Sequence, residues 1–149
     1  GQGMLDIVKI DHVGIRVSDR DEALKFYGLL GYELMADGGF DHGHPLILQH
    51  SCGIVLNLLG QVSAKAGENV LMDADDKYPG YTHMALHVSS VEAAEKMFEE
   101  NGVSITGRHQ FKGITTIFVR DPDRNVVEIV EHTGPDFFSE KVDQETRLA

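Results

Sequence analysis

The 149-residue sequence has one cysteine, no tryptophan and only four prolines, and basic residues are scarce. The single cysteine, Cys52, excludes an internal disulfide and fits a reducing compartment, so we predict a cytoplasmic protein. The chain has 13 Lys and Arg against 24 Asp and Glu, which leaves a formal charge of −11. Because phosphate binding needs a basic surface, this charge argues against a nucleic-acid partner.

Long hydrophobic runs are also missing. No apolar stretch approaches the roughly 20 residues that cross a bilayer, and the N-terminus lacks the pattern of a signal peptide. We therefore expect no membrane partner. Residues 1–3, ahead of Met4, are typical of an expression-vector remnant, and the predicted domain starts at Met4. An apolar content of 42% with 25% charged residues is typical of one globular domain.

The sequence contains two copies of one pattern, separated by a constant displacement. The run HVGIRVS from His12 returns as HMALHVS from His83. Further along, VLNLL centred on Asn57 returns as VVEIV centred on Glu128, at the same displacement. We call the displacement that carries His12 onto His83 the repeat offset. Because it is held without insertion through strand, helix and later strand, it predicts two copies of one folding unit, paired about a pseudo-twofold axis.

Each copy is predicted to fold as a strand, a helix and three further strands. Capping patterns at Ser18 and Ser89 predict the helix starts, and glycines at Gly31 and Gly102 predict their ends. Alternation of apolar residues predicts the strands. The predicted strands are residues 7–17, 32–40, 45–50 and 54–59 in the first copy, and 81–88, 103–110, 114–120 and 125–132 in the second.

These elements predict an α+β fold of two βαβββ modules. Neither module alone offers enough surface to bury its face, so the two mixed sheets should pair into a half-open cup. The predicted boundaries are one domain over 4–134, with module one at 4–60, a linker at 61–80, module two at 81–134 and a C-terminal tail at 135–149.

The repeat offset sets His12 opposite His83 and Asn57 opposite Glu128. Glu128 lies in an otherwise apolar run, where a carboxylate is costly to bury unless it is paired or bound to a cation. Two imidazoles and one carboxylate are the ligand set expected for Fe(II), and they also suit Mn, Zn, Ni and Co. We predict one divalent metal ion at His12, His83 and Glu128. The alternative is that each is a polar strand residue facing solvent.

The chain resembles the vicinal oxygen chelate superfamily, which includes glyoxalase I, bleomycin-resistance proteins and extradiol dioxygenases. The resemblance rests on DHVGIRVSD, FYGLLGY, YTHMALHVSS and FVRDPDRNVVEIVE and covers residues 7–132. It implies a U-shaped cleft, a homodimer, and a metal with open positions for two neighbouring oxygens of a small-molecule substrate. By this resemblance His12, His83 and Glu128 are the first, third and fourth ligands.

At the second ligand position this chain has Asn57, where glyoxalase-type members usually carry Glu or Gln. An amide cannot act as a base, which weakens the assignment to glyoxalase I itself. Asn57 either coordinates through its oxygen, hydrogen-bonds substrate or metal-bound water, or only fills the position. The three-ligand prediction is unaffected.

The function predicted from these residues is a glyoxalase-like lyase or isomerase that works through a metal-stabilised enolate. Glu128 or His87 would serve as the base, and Arg16, on the strand face of His12, would neutralise a carboxylate or enolate. One alternative is an Fe(II) extradiol-type dioxygenase, but Phe118 stands where its pattern has a tyrosine. Another is a bleomycin-resistance-like binding protein, which the charge of −11 would suit if the ligand is cationic.

Overall fold

The computed structural model describes residues 3–64 and 67–133. The elements are β1 (Val13–Arg16), α1 (Arg20–Leu29), β2 (Tyr32–Asp37), β3 (Leu46–His50) and β4 (Val55–Leu59) in the first module, with a short 3₁₀ turn at Phe40–His42, and β5 (His83–His87), α2 (Val91–Glu100), β6 (Gly107–Phe111), β7 (Ile114–Arg120) and β8 (Val126–His132) in the second. The α+β class and the two βαβββ modules are confirmed.

Both modules form a four-stranded mixed sheet with the same topology. The strand orders are β1-β4-β3-β2 and β5-β8-β7-β6, and in each sheet the first and last strands of the module pair in parallel. Gly14 lies opposite Asn57, and at the equivalent position of the second copy Ala85 lies opposite Glu128. The sequence repeat is therefore a repeat of backbone register as well. The cup between the two sheets stays a prediction.

The helices start one residue later than predicted. Asp19 caps α1 by accepting from the backbone N–H of Glu22 at 2.9 Å, and Ser90 caps α2 by accepting from that of Ala93 at 3.0 Å. Ser18 is not the cap because its backbone N–H and hydroxyl both donate to the Asp123 carboxylate. The predicted caps at Ser18 and Ser89 are thus wrong by one position.

Both helix ends are as predicted. Gly31 and Gly102 follow the C-caps with φ of 97° and 73°, in the left-handed region that glycine adopts without strain.

The first strand is shorter than predicted. Residues 7–12 belong to no strand of the described chain, and β1 begins only at Val13, which pairs with Leu56 in β4. Its partner strand starts at Val55, which is in register with His12, so the residues before His12 have no residue of β4 beside them. The prediction of a strand from residue 7 is wrong for this reason.

Each sheet buries one apolar face against its own helix. In the first module Tyr27 and Ala23 of α1 are buried together with alternate residues of β3 and β4, namely Leu46, Leu48, Leu56 and Leu58. In the second, Phe98 of α2 is buried with Ile117, Val119, Val127 and Ile129. Because side chains alternate across a strand, Asn57 and Glu128 lie on the opposite, more open face of their sheets.

The chain divides into two compact units. The first runs to Pro79 and also includes Asp121–Asn125, and the second comprises Gly80–Arg120 and the chain from Val126. The Asp121–Asn125 turn is bonded within the first unit: the Tyr27 hydroxyl donates to Asp121 at 2.8 Å. Burial is the main cause that raises the pKa of both side chains.

The predicted linker is also anchored. Arg124 donates to both carboxylate oxygens of Asp73, at 2.8 and 3.1 Å. Asp73 itself accepts from the backbone N–H of Asn69 at 2.8 Å. Part of the linker is therefore fixed by a two-point ion pair. The predicted tail at 135–149 lies outside the described residues. Within the described ranges, neither ten-residue helix is long and apolar enough to span a membrane, and no other helix is either.

Candidate functional site

An imidazole–carboxylate pair lies on the open face of the second sheet. Glu128 is in the middle of β8 and lies opposite Ala85 of the parallel strand β5. His83 precedes Ala85 by two positions and so shares its face. Its Nε2 lies 2.9 Å from Oε1 of Glu128. The structure thus brings together two of the three predicted metal ligands.

Two threonine hydroxyls contact the remaining polar atoms of this pair. Thr82 Oγ1 lies 2.9 Å from Nδ1 of His83, which directs Nε2 toward the carboxylate. Thr116 in β7 donates to the other oxygen of Glu128 at 3.2 Å. Partners of this kind orient metal-binding histidines and carboxylates in proteins. Neither threonine was predicted as part of the site from the sequence.

The first module has the corresponding contact on its own histidine. Asp11 Oδ2 lies 2.7 Å from Nδ1 of His12, just ahead of β1. The hydrogen bond from His12 is the main cause that lowers the pKa of Asp11. The repeat offset carries Asp11 onto Thr82, so the register that identified the histidines also marks their oxygen partners. In both modules the residue before the histidine engages Nδ1.

Asn57 and Arg16 occupy the open face of the first sheet. Asn57 is half-buried in β4, between Gly14 of β1 and Ile47 of β3. Arg16 ends β1 with an exposed side chain, and its backbone carbonyl accepts from the Asn125 side chain at 3.0 Å. The register therefore puts an amide where the second module has a carboxylate.

His87, the predicted acid–base residue, is exposed at the end of β5. Its ring packs edge-on against that of His132 in β8, with centroids 4.7 Å apart. His87 lies four positions beyond His83, on the same face of the strand. The second sheet thus carries further imidazoles beside the His83–Glu128 pair.

Phe118 forms one wall next to the pair. It lies opposite Glu128 across β7 and β8, and its ring meets His83 and His109 edge-on at centroid distances of 5.9 and 6.3 Å. Arg108 forms an ion pair with Glu95 of α2, on the other face of the sheet. Arg108 and His109, adjacent in the sequence, therefore lie on opposite faces of the second sheet.

The donor set of this pair fits a divalent metal ion. An imidazole nitrogen and a carboxylate oxygen are ligands for all five predicted metals, and both side chains are partly buried, with 33% and 19% of their surface exposed. Within residues 3–64 and 67–133, no group of three or more His, Cys, Asp or Glu side chains is arranged to hold a metal ion. His12, the third predicted ligand, belongs to the first unit.

Comparisons with known proteins agree with this fold. The model of the glyoxalase/bleomycin resistance protein/dioxygenase superfamily matches residues 9–129. The chain is similar to the crystal structure of SMU.1112c, at 25% identity and a TM-score of 0.68, over 85% of this chain and 100% of that one. It is also similar to a glyoxalase family protein from Enterococcus faecalis, at 22% identity and a TM-score of 0.69, over 83% of this chain and 98% of that one.

A glyoxalase/dioxygenase from Nostoc punctiforme matches at 19% identity and a TM-score of 0.68, over 87% of this chain and 92% of that one. No curated protein sequence matches the chain significantly. Identities this low concern the fold alone, whereas the family match covers both modules and both sequence copies. The protein therefore belongs to the glyoxalase/bleomycin resistance protein/dioxygenase superfamily.

Proposed function

We propose that the protein is a divalent-metal-dependent enzyme that acts on a small molecule with two neighbouring oxygens, by lyase or isomerase chemistry. His83 and Glu128 are two of the metal ligands. His12 is the third, as the repeat offset and the superfamily pattern predict. The observation that carries the proposal is the 2.9 Å contact between His83 Nε2 and Glu128 Oε1.

The surroundings of that contact also support the proposal. The second nitrogen of His83 and the second oxygen of Glu128 each have a hydroxyl partner. Both metal-facing atoms are thereby oriented before any ligand arrives, which is the property that metal affinity depends on.

Each of the candidate side chains has a separate role in the proposed reaction. When bound, a divalent ion supplies Lewis-acid polarisation of the two substrate oxygens. Glu128 accepts a proton through a carboxylate that Thr116 keeps oriented, and His87 exchanges a proton with the substrate from the end of the same sheet face. Arg16 balances negative charge on the substrate. Asn57 has an amide side chain, which can coordinate the metal ion or hydrogen-bond the substrate but cannot accept a proton.

The sharpest test is metal affinity, measured by isothermal titration with Zn²⁺, Mn²⁺ and Fe²⁺ on protein stripped with chelator. His83→Ala removes one ligand, and we expect affinity to fall by about a hundredfold or more, the scale of losing a positioned ligand group. The matched control is His109→Ala. It removes another imidazole that contacts Phe118, and we expect it to leave affinity within about threefold of wild type, since the ring that bonds Glu128 is that of His83.

Equal losses in the two variants would contradict the assignment. The metal found in protein purified without chelator or affinity-column metal separates the chemistries. Zinc, nickel or manganese supports lyase or isomerase work, and stoichiometric iron supports the Fe(II) dioxygenase. Wild-type protein that takes up no metal would instead indicate a small-molecule binding protein of the bleomycin-resistance kind.

Thr82→Val tests the positioning of His83 separately. It keeps the shape of the side chain but removes the oxygen that contacts Nδ1. We expect metal affinity to fall by about tenfold, the lower end of what such partners contribute, while Thr82→Ser restores it. Failure of serine to restore affinity would show that the hydroxyl has no positioning role.

A further inference from the structure

The connection between β2 and β3 departs from the pattern of the second module. Residues 38–45 leave the sheet after Asp37 and re-enter it at Leu46. The repeat offset places them opposite residues 109–116, which lie in β6, a two-residue turn and β7. Module one therefore forms a loop from a segment that module two uses for strand pairing. Loops on a regular scaffold are where binding residues are concentrated.

A single backbone carbonyl positions both histidines of this loop. The backbone N–H groups of His42 and His44 donate to the carbonyl oxygen of Gly39, at 2.9 and 3.1 Å. Their rings lie against the same glycine, because a Cβ at Gly39 would be 3.6 Å from Cδ2 of His42 and 3.5 Å from Cδ2 of His44. Both side chains are exposed. The loop thus holds two imidazoles next to one another, within reach of a ligand from solvent.

Asp37 and Phe40 fix this loop to the first sheet. Oδ1 of Asp37 accepts from the backbone N–H groups of Gly39 and Phe40, at 3.0 and 3.1 Å. The bond from Gly39 is the main cause that lowers the pKa of Asp37. The Phe40 ring is buried over Gly60, where a Cβ would come within 2.8 Å of its Cζ. The positions of the two histidines are therefore set by contacts that a ligand need not form.

Gln61 brings an amide to the same loop. A Cβ at Gly43, the residue between the two histidines, would lie 2.9 Å from Nε2 and 3.1 Å from Oε1 of Gln61, so the amide lies directly against this glycine. Gln61 is exposed and has a φ of 60°, in the left-handed region that residues other than glycine seldom adopt. Backbone held in such a region is concentrated at ligand-binding positions.

We propose that His42, His44 and Gln61, which we call the loop site, bind a late first-row divalent cation: Zn²⁺, Ni²⁺ or Cu²⁺. Imidazole nitrogens suit these ions, and the amide oxygen of Gln61 is a third donor. The loop site has no carboxylate, so Mn²⁺, which prefers oxygen ligands, should bind there weakly. All three residues belong to the first unit, so the loop site takes its cation without the His83–Glu128 pair.

Zinc titration in the background of His83→Ala tests the loop site, because that substitution removes a ligand of the pair in the second module. Isothermal titration of the full chain, stripped with chelator, should still show one bound Zn²⁺. His42→Ala or His44→Ala alone should weaken this binding by about tenfold or more, and the two together should abolish it. The matched control is His109→Ala, which removes an exposed imidazole outside the loop and should leave affinity within about threefold.

Gln61→Glu and Gln61→Ala test the third donor. Glutamate keeps the length of the side chain and supplies a carboxylate, so Zn²⁺ affinity should rise and Mn²⁺ binding should appear, whereas alanine should lower Zn²⁺ affinity. Unchanged affinity in both variants would remove Gln61 from the loop site.

Electron paramagnetic resonance of bound Cu²⁺ gives a readout that needs no change in the loop. In the His83→Ala protein we expect splitting from two imidazole nitrogens, and from one after His42→Ala. The loop site is overturned if the His83→Ala protein takes up no Zn²⁺, or if binding survives the loss of both loop histidines. Zn²⁺ binding that depends on the loop histidines and is indifferent to His83→Ala in every respect would support the loop site and contradict the proposed metal ligands of the second module.

Discussion

The two modules have the same fold, yet they equip their open sheet faces differently. Each has a histidine just before or at the start of its first strand, with an oxygen partner on Nδ1 supplied by the preceding residue. The last strands differ: module two has Glu128, and module one has Asn57. In module two the last strand therefore supplies a carboxylate, which contacts Nε2 of the histidine, whereas module one has an amide at that position.

The difference extends to the neighbouring strand. Thr116 supports Glu128 in module two, and the equivalent position of module one holds Pro45, which has no side-chain donor. A carboxylate on a sheet face needs such partners because desolvation without them is costly. An amide is uncharged and needs fewer hydrogen-bond partners. The two halves therefore share a scaffold, and within the described residues the second half carries an imidazole–carboxylate pair where the first has an imidazole and an amide.

The strongest way to break the comparison is to give module two the amide of module one. Glu128→Gln keeps the size of the side chain and removes its charge, so the variant carries an amide in both last strands. We expect divalent-metal affinity to fall by about a hundredfold, since carboxylate is the ligand type lost. Isothermal titration measures it, with Glu131→Gln as the control for a general loss of negative charge. Unchanged affinity in Glu128→Gln would mean that the carboxylate is not a ligand.

A second contrast lies in the helices. Tyr27 of α1 donates its hydroxyl to Asp121 at 2.8 Å, whereas the equivalent residue of α2, Phe98, is buried without a hydroxyl. Tyr27→Phe therefore makes module one resemble module two. We expect the free energy of unfolding to fall by about 2 kcal/mol, the scale of a hydrogen bond to a charged group. Urea denaturation measures it, and a change below about 0.5 kcal/mol would show that the bond contributes nothing net.

The smallest predicted effect concerns the pH dependence of the same turn. Burial raises the pKa of Asp121 above its ordinary value of 3.8, against the opposing hydrogen bonds. A raised pKa means that stability from this group is fully present below pH 3.8 and is lost as the pH rises through the higher folded value.

The Asp121→Asn variant has no ionisable group at this position. Its free energy of unfolding therefore does not fall as the carboxyl of residue 121 ionises. We therefore expect wild type to lose stability relative to the variant as the pH rises from about 3.5 to 6. Urea denaturation of both proteins across that range measures the difference. Parallel pH profiles, or a wild type that gains stability relative to the variant, would contradict it.

Much of the fold was predictable because the repeat constrains both the order of the elements and the register between strands. A constant offset that links the first strand, the helix and the last strand fixes the order of elements, and the structure pairs Gly14 with Asn57 and Ala85 with Glu128 in that same register. Strand and helix ends were less predictable. The apolar pattern before Val13 continues past the point where β4 can supply a partner, and no local signal marks that point.

The helix starts show a similar limit. Ser18 and Asp19 are both residues that cap helices well. The choice between them is made by Asp123, far along the chain, which takes both donors of Ser18. A local pattern cannot contain that contact.

The sequence singled out the two residues of the His83–Glu128 pair but not the two threonines that contact them. His83 and Glu128 stand out in the sequence because an ionisable residue in an apolar strand is costly. Thr116 does not, since threonine is common in strands, and only the pairing of β7 with β8 brings its hydroxyl to the carboxylate. Thr82 was identifiable in principle, because it occupies the position of Asp11 in the repeat.

The most direct test of the central claim is a crystal structure of the protein soaked with Co²⁺, with anomalous diffraction recorded at the cobalt edge. We expect an anomalous peak at about 2.0–2.2 Å from both His83 Nε2 and Glu128 Oε1, the distance expected for nitrogen and oxygen ligands. A peak elsewhere, with the contact between His83 Nε2 and Glu128 Oε1 unchanged, would contradict it.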